Sequence, residues 1–81
     1  MEPETQDTRP FSYGEKAVGL SFNPSGDQNV QMVKELYARI IDLLNDSIVA
    51  VPSEHARLAK IAITEAQTAQ MWAVKAITWK E

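Results

Sequence analysis

The chain of 81 residues contains no cysteine, one histidine, three glycines and four prolines. Without cysteine, disulfides, thiol nucleophiles and thiolate metal sites are excluded, which suits a reducing compartment. No apolar run approaches the ~20 residues of a membrane span, and no basic segment precedes an apolar one as in a secretion signal. The expectation is therefore a cytoplasmic protein that does not engage the membrane. A formal net charge of −3 argues against a coat for polyanions, so polymeric DNA or RNA is not an expected partner. The 44% hydrophobic content is that of an ordinary globular chain. Size sets a further limit, because domains below about 70–80 residues rarely bury enough apolar surface alone. With disulfides excluded and no metal-ligand cluster in view, oligomerisation is the remaining remedy.

The pattern changes near residue 27. Residues 1–27 hold every glycine, three of the prolines and the rings of Phe11, Tyr13 and Phe22, with no helical period. We read them as a partly extended N-terminal arm, with Gly14, Gly19 and Gly26 as isolated turn residues. From Gln28 the chain is strongly periodic. Ser25 stands three residues before Gln28, the capping-box spacing, although Asp27 or Asn29 could also cap. Apolar residues then recur at Val30, Val33, Tyr37, Ile40 and Leu44, reinforced by Leu36, Ile41, Leu43 and Ile48. Lys34, Glu35, Arg39, Asp42 and Asn45 fall mostly off that stripe, giving an amphipathic helix over 28–47.

Val49-Ala50-Val51-Pro52 breaks the period and Ser53 caps a second helix over 54–78. So short a connection predicts antiparallel helices. Residues 28–81 therefore read as a helical hairpin, and the whole as an all-α chain. Ala59, Ala62, Ala66, Ala69, Ala73 and Ala76 form a heptad seam of alanine that would let another helix approach closely. Leu58, Ile61, Trp72 and Trp79 share one further side, while Ile63, Gln67, Gln70, Val74 and Ile77 form another. One partner helix cannot cover all of these. Either the arm folds back over the surplus face or a second hairpin packs there, and self-association is the favoured reading.

Catalytic signatures are nearly absent. His55 lacks a second ligand at helical spacing, the serines lack a recognisable base, and no glycine-rich phosphate loop exists. We expect no enzyme, no cofactor and no metal. The arm does interleave rings with cations, in Arg9-Pro10-Phe11-Ser12-Tyr13-Gly14-Glu15-Lys16 and then Phe22-Asn23-Pro24. A ring can stack on a base, a cation neutralises a phosphate, and Asn23 can read a base edge. Equally, the rings could be anchors pinning the arm to the hairpin. Thr64, Gln67, Thr68 and Gln70 are poor choices for a helix core. They either face solvent, hydrogen-bond between helices, or line a polar cavity at a subunit junction.

Residues 57–77, RLAKIAITEAQTAQMWAVKAI, resemble the second helix of the small phage anti-CBASS sponge proteins. Those share a helical-hairpin core with a Thoeris anti-defense family that sequesters cyclic ADP-ribose isomers. Arg57, Ile61, Thr64, Gln67, Met71, Ala76 and Ile77 fall at matching places, and Lys34-Glu35-Leu36 resembles the first helix. The resemblance implies hairpins assembled into symmetric homo-oligomers, a tetramer or hexamer being expected, with cyclic nucleotide second messengers held between subunits. It implies Phe22, or second Tyr13, as the ring stacking on a base and Lys34 as the first-helix contact. Arg57 and Thr64 would contact a further ligand class. The expected function is a non-catalytic sponge that blocks bacterial anti-phage signalling. The alternative is a helical oligomerisation or protein-interaction module; a DNA-binding regulator using the basic surplus of the second helix is the weakest reading.

Overall fold

The computed structural model describes residues 10–48 and 52–81. Arg9 and the connection at 49–51 lie outside the described residues. The architecture is three helices, with no strand among the described residues: α1 (Tyr13–Ala17), α2 (Gln28–Asp46) and α3 (Glu54–Thr78). Among the described residues no helix is long and apolar enough to cross a membrane.

α1 departs from the expected extended arm. Ser12 is its N-cap: the hydroxyl accepts from the Glu15 amide, and the Glu15 carboxylate accepts from the Ser12 amide. This reciprocal capping box satisfies two otherwise orphaned N–H groups. The helix ends in a Schellman arrangement, Gly19 N–H donating to Lys16 O and Leu20 N–H to Glu15 O. Gly19 takes φ +63° there, the left-handed conformation open to glycine without a Cβ penalty. α1 is then fixed to α2 by one carboxylate. Asp42 accepts from Ser12 Oγ at 2.6 Å and from the Gly14 amide at 2.7 Å. Gly14 is buried in this contact rather than exposed in a turn. A Cβ there would lie 2.1 Å from the Ala38 carbonyl oxygen, so only glycine permits the approach.

α2 is capped by Asp27, which accepts from the Asn29 amide at 2.7 Å. Ser25 instead supports the turn before it, accepting from the Asp27 amide and donating to Asn23 Oδ1. α3 starts at Ser53, whose hydroxyl accepts from the Ala56 amide. The helices run antiparallel. Ser47, past the end of α2, meets His55 in the first turn of α3, and Val30 shares a small pocket with Val74 and Thr78.

The core is Val18, Ala38, Ile41 and Ile63, flanked by Ala17, Leu20, Tyr37, Leu44, Ile48 and Ala66. It thus draws on the arm as well as both long helices. On α2 the buried line is Val30, Lys34, Ala38 and Ile41. Two expectations are corrected here: Lys34 is inside the stripe, and Leu36, Ile40 and Leu43 face outward. The reason is that α1 and its loop pack against the Lys34–Ala38 side, turning the inner face by about one position. On α3 the inward line runs Ala56, Ala59, Ile63 and Gln70, with Ala66, Ala73 and Ile77 half-buried between and beyond. The alanine seam is only partly used, because Ile63 fills the centre and leaves Ala69 and Ala76 exposed. Leu58, Ile61, Met71, Trp72 and Trp79 remain on the surface.

Candidate functional site

The principal concavity is an open groove of about 730 Å³ between the arm and α3, within the ~300–1,000 Å³ range of small-molecule sites. Lys16, Val18, Gly19 and Phe22 come from the arm, and Lys34 from α2. The opposite wall is α3, presenting Thr64, Gln67, Thr68, Gln70, Met71 and Val74. Among the described residues no carboxylate lines it. In a chain of net charge −3, this groove carries two ammonium groups.

Phe22 stands at the rim with 68% of its surface exposed. Its ring also borders a smaller pocket shared with Asn23, Pro24, Val30 and Thr78. It is held there through its own backbone. Lys34 Nζ donates to the carbonyls of Gly19, at 3.1 Å, and Phe22. The same ammonium lies 5.4 Å from the Phe22 ring centroid, a cation–π distance. Lys34 is buried, so these carbonyl oxygens replace lost hydration. The side chain positions the loop as well as charging the groove.

Of the six residues singled out from sequence, Phe22, Lys34 and Thr64 meet in this groove. Asn23 lies beside it, with its amide engaged in the turn: Oδ1 accepts from Ser25 and Nδ2 donates to the Asp27 carbonyl at 3.1 Å. Tyr13 is half exposed and lines a separate pocket of about 290 Å³ with Asn45, Lys60, Ile63, Thr64 and Gln67. Thr64 and Gln67 therefore border both concavities. Arg57 lines neither. It sits on the first turn of α3, bonded by Nε and Nη2 to Glu54 at 3.0 and 2.6 Å. That bond lowers the Glu54 carboxyl below its ordinary value and raises the Arg57 guanidinium.

The rings do not anchor the arm. Phe11, Tyr13 and Phe22 are all exposed, while Asp42, Val18, Leu20 and Lys34 hold it down. The groove also holds residues outside those six, among them Lys16 and Gln70. Lys16 belongs to the rim because α1 is helical; the Ser12-x-x-Glu15 spacing was the available signal. Gln70 was noted as polar in mid-helix, yet its inward orientation follows from the register of α3 on α2.

Among the described residues no cluster of His, Asp or Glu could hold a metal ion. His55 bonds through Nε2 to Ser47, joining the helix ends.

A family model described as Acb2/Tad1, hairpin domain, matches residues 15–78, from α1 to the end of α3. No curated protein and no solved structure matches the chain. The hairpin, and the groove it forms with the arm, lie within the matched span, and the chain belongs to the Acb2/Tad1 hairpin-domain family of phage anti-CBASS and anti-Thoeris sponge proteins.

Proposed function

We propose that this chain binds and sequesters cyclic nucleotide second messengers, cyclic di- or trinucleotides and further cyclic ADP-ribose isomers, without turning them over. The observation that carries the reading is the composition of one groove: an exposed aromatic ring, two ammonium groups, neutral hydrogen-bonding side chains and, among the described residues, no carboxylate. Each suits one part of such a ligand. Phe22 stacks on a base, Lys16 and Lys34 offset phosphate charge, and Thr64 and Gln67 meet polar edges. Family membership supports the same role. Asn23 contributes by fixing the turn behind Phe22, with base-edge contact left to its remaining hydrogen-bonding capacity. Tyr13 and Thr64 serve the neighbouring pocket, and Arg57 serves a further ligand class after exchanging Glu54 for an anion.

A sponge works by mass action, so it needs high affinity and abundance comparable to the signal. Self-association into a tetramer or hexamer would multiply pockets and cover the outer apolar residues of α3. Calorimetry against a panel of cyclic di- and trinucleotides and cyclic ADP-ribose isomers tests the reading. Binding is expected, with the ligand recovered intact after heating the protein. No heat with any of them overturns it. The exposed Leu58, Ile61, Trp72 and Trp79 favour a second reading, a helical oligomerisation module. In that case Phe22→Ala would weaken assembly and leave no nucleotide effect.

A further inference from the structure

Among the described residues two polar side chains are buried, Lys34 and Gln70, each 5% exposed. Both line the same groove. Their circumstances differ. Lys34 is bonded to two carbonyls, whereas among the described residues the Gln70 carboxamide has no hydrogen-bond partner. Yet no side-chain nitrogen or oxygen is both sealed from the surface and unpaired. The Gln70 amide is therefore not sealed off, and, at a residue that lines the groove, its donors and acceptor can meet an occupant.

A carboxamide at such a position opposes folding unless something rewards it, since desolvating a polar group without a partner costs free energy. Its neighbours along the wall, Met71 and Val74, show that apolar side chains fit this stretch of α3. The other polar residues of the wall are less available. Thr64 Oγ donates to Lys60 O at 3.2 Å and Thr68 Oγ to Thr64 O at 3.3 Å. Gln67 is only half-buried, so solvent can serve it. Gln70 is the group whose hydrogen bonds the ligand must complete.

We propose that Gln70 reads the edge of an adenine base in this groove, which rests on the cyclic-nucleotide reading above. A carboxamide offers an acceptor and a donor side by side. Adenine presents the complement, its 6-amino group donating to Oε1 and its N7 accepting from Nε2. The corresponding guanine edge, O6 and N7, presents two acceptors and leaves Oε1 unpaired. Phe22 at the rim supplies a stacking plane, and Lys16 and Lys34 supply the charge for phosphate. Gln70 adds the one feature those groups lack, discrimination among bases.

The test is calorimetry of the full chain with two ligands: a cyclic dinucleotide of adenosine, and the same ring with purines lacking the 6-amino group. The wild type is expected to bind the adenine ligand more tightly, by about 5- to 150-fold as for one bidentate contact. Gln70→Met should bind both ligands equally, at about the weaker affinity. Without ligand its melting temperature should equal or exceed the wild type's and its assembly mass should match, because no bond among the described residues is lost and the apolar side chain removes a desolvation cost. A variant that keeps the wild-type ratio overturns the inference while leaving the sponge reading intact. So does a Gln70→Met protein that melts well below the wild type or changes its mass, since the amide would then be structural. A wild-type protein that binds no cyclic nucleotide overturns both.

Discussion

The two walls of the groove are built on opposite plans. On the arm side the polar groups that shape the wall are engaged within the chain: Asp42 with Ser12 and Gly14, Lys34 with Gly19 and Phe22. On the α3 side, among the described residues, the threonines bond back to their own helix and the Gln70 carboxamide has no partner. The first wall is a scaffold whose hydrogen bonds define one position for the loop and its ring. The second is a row of polar groups set on a rigid helix, ready for a partner. A site needs both, because preorganised contacts bind more tightly than contacts that must first be ordered.

Breaking the scaffold should therefore cost stability, and trimming the contacts should cost affinity. The largest effect is expected for Gly14→Ala. Its methyl would meet the Ala38 carbonyl at 2.1 Å, so α1 must leave α2, at a cost of about 3 kcal/mol. For a domain of this size that lowers the melting temperature by more than ~10 °C in a calorimetric scan. Lys34→Met comes next and straddles the two classes. It leaves the Phe22 carbonyl without its donor, at about 1–3 kcal/mol, while the Gly19 carbonyl keeps the Phe22 amide, and it also weakens ligand binding by freeing the ring. Lys34→Arg is not expected to restore either, because its planar fork cannot reproduce the ammonium's contacts.

Phe22→Ala should separate the two properties. The ring is mostly exposed, so melting should change little, while affinity falls by about 1–3 kcal/mol of lost stacking. Equal losses in both measurements would return Phe22 to the anchor role. The smallest effect belongs to Glu54, far from either wall. Its carboxyl is lowered in the folded state by the hydrogen bond from Arg57. The stability it contributes is thus present above its ordinary value of 4.5 and lost as pH falls through the lower, folded one. Wild type and Glu54→Gln should differ slightly at neutral pH and converge in acid, as followed by thermal melts across that range.

The two long helices were legible because each has a strong period and a side-chain cap. Ser53 and the run after Pro52 placed the start of α3, and the stripe after Gln28 placed α2. α1 was not legible from periodicity, since five residues make little more than one turn. Its stability comes from a capping box, a glycine C-cap and the distant Asp42, of which only the first two are local. Lys34 read as a surface residue for a similar reason. Its burial depends on two backbone carbonyls in a loop 12 and 15 residues away, and side-chain type alone does not reveal them. Phe22 and Thr64 were named as site residues from side-chain type together with the family resemblance, yet their meeting across one groove needed the fold. Arg57 carried the right charge, but it lies on the first turn of α3, paired with Glu54, while the groove wall starts at Thr64.

By itself the sequence determined the all-helical class, the positions of α2 and α3, and the surplus of apolar faces on α3. These follow from local propensity, capping and period, which act over a few residues. The arm's helix, the buried Lys34, and the choice of Gln70 as the inward polar side chain were decided by tertiary structure. Each depends on the rotation of one helix against another, and a turn of one position exchanges inner for outer residues. The absence of cysteine ruled out the covalent route to a stable small domain. The packed arm supplied part of what was missing, because Gly14 lets its backbone lie directly against α2.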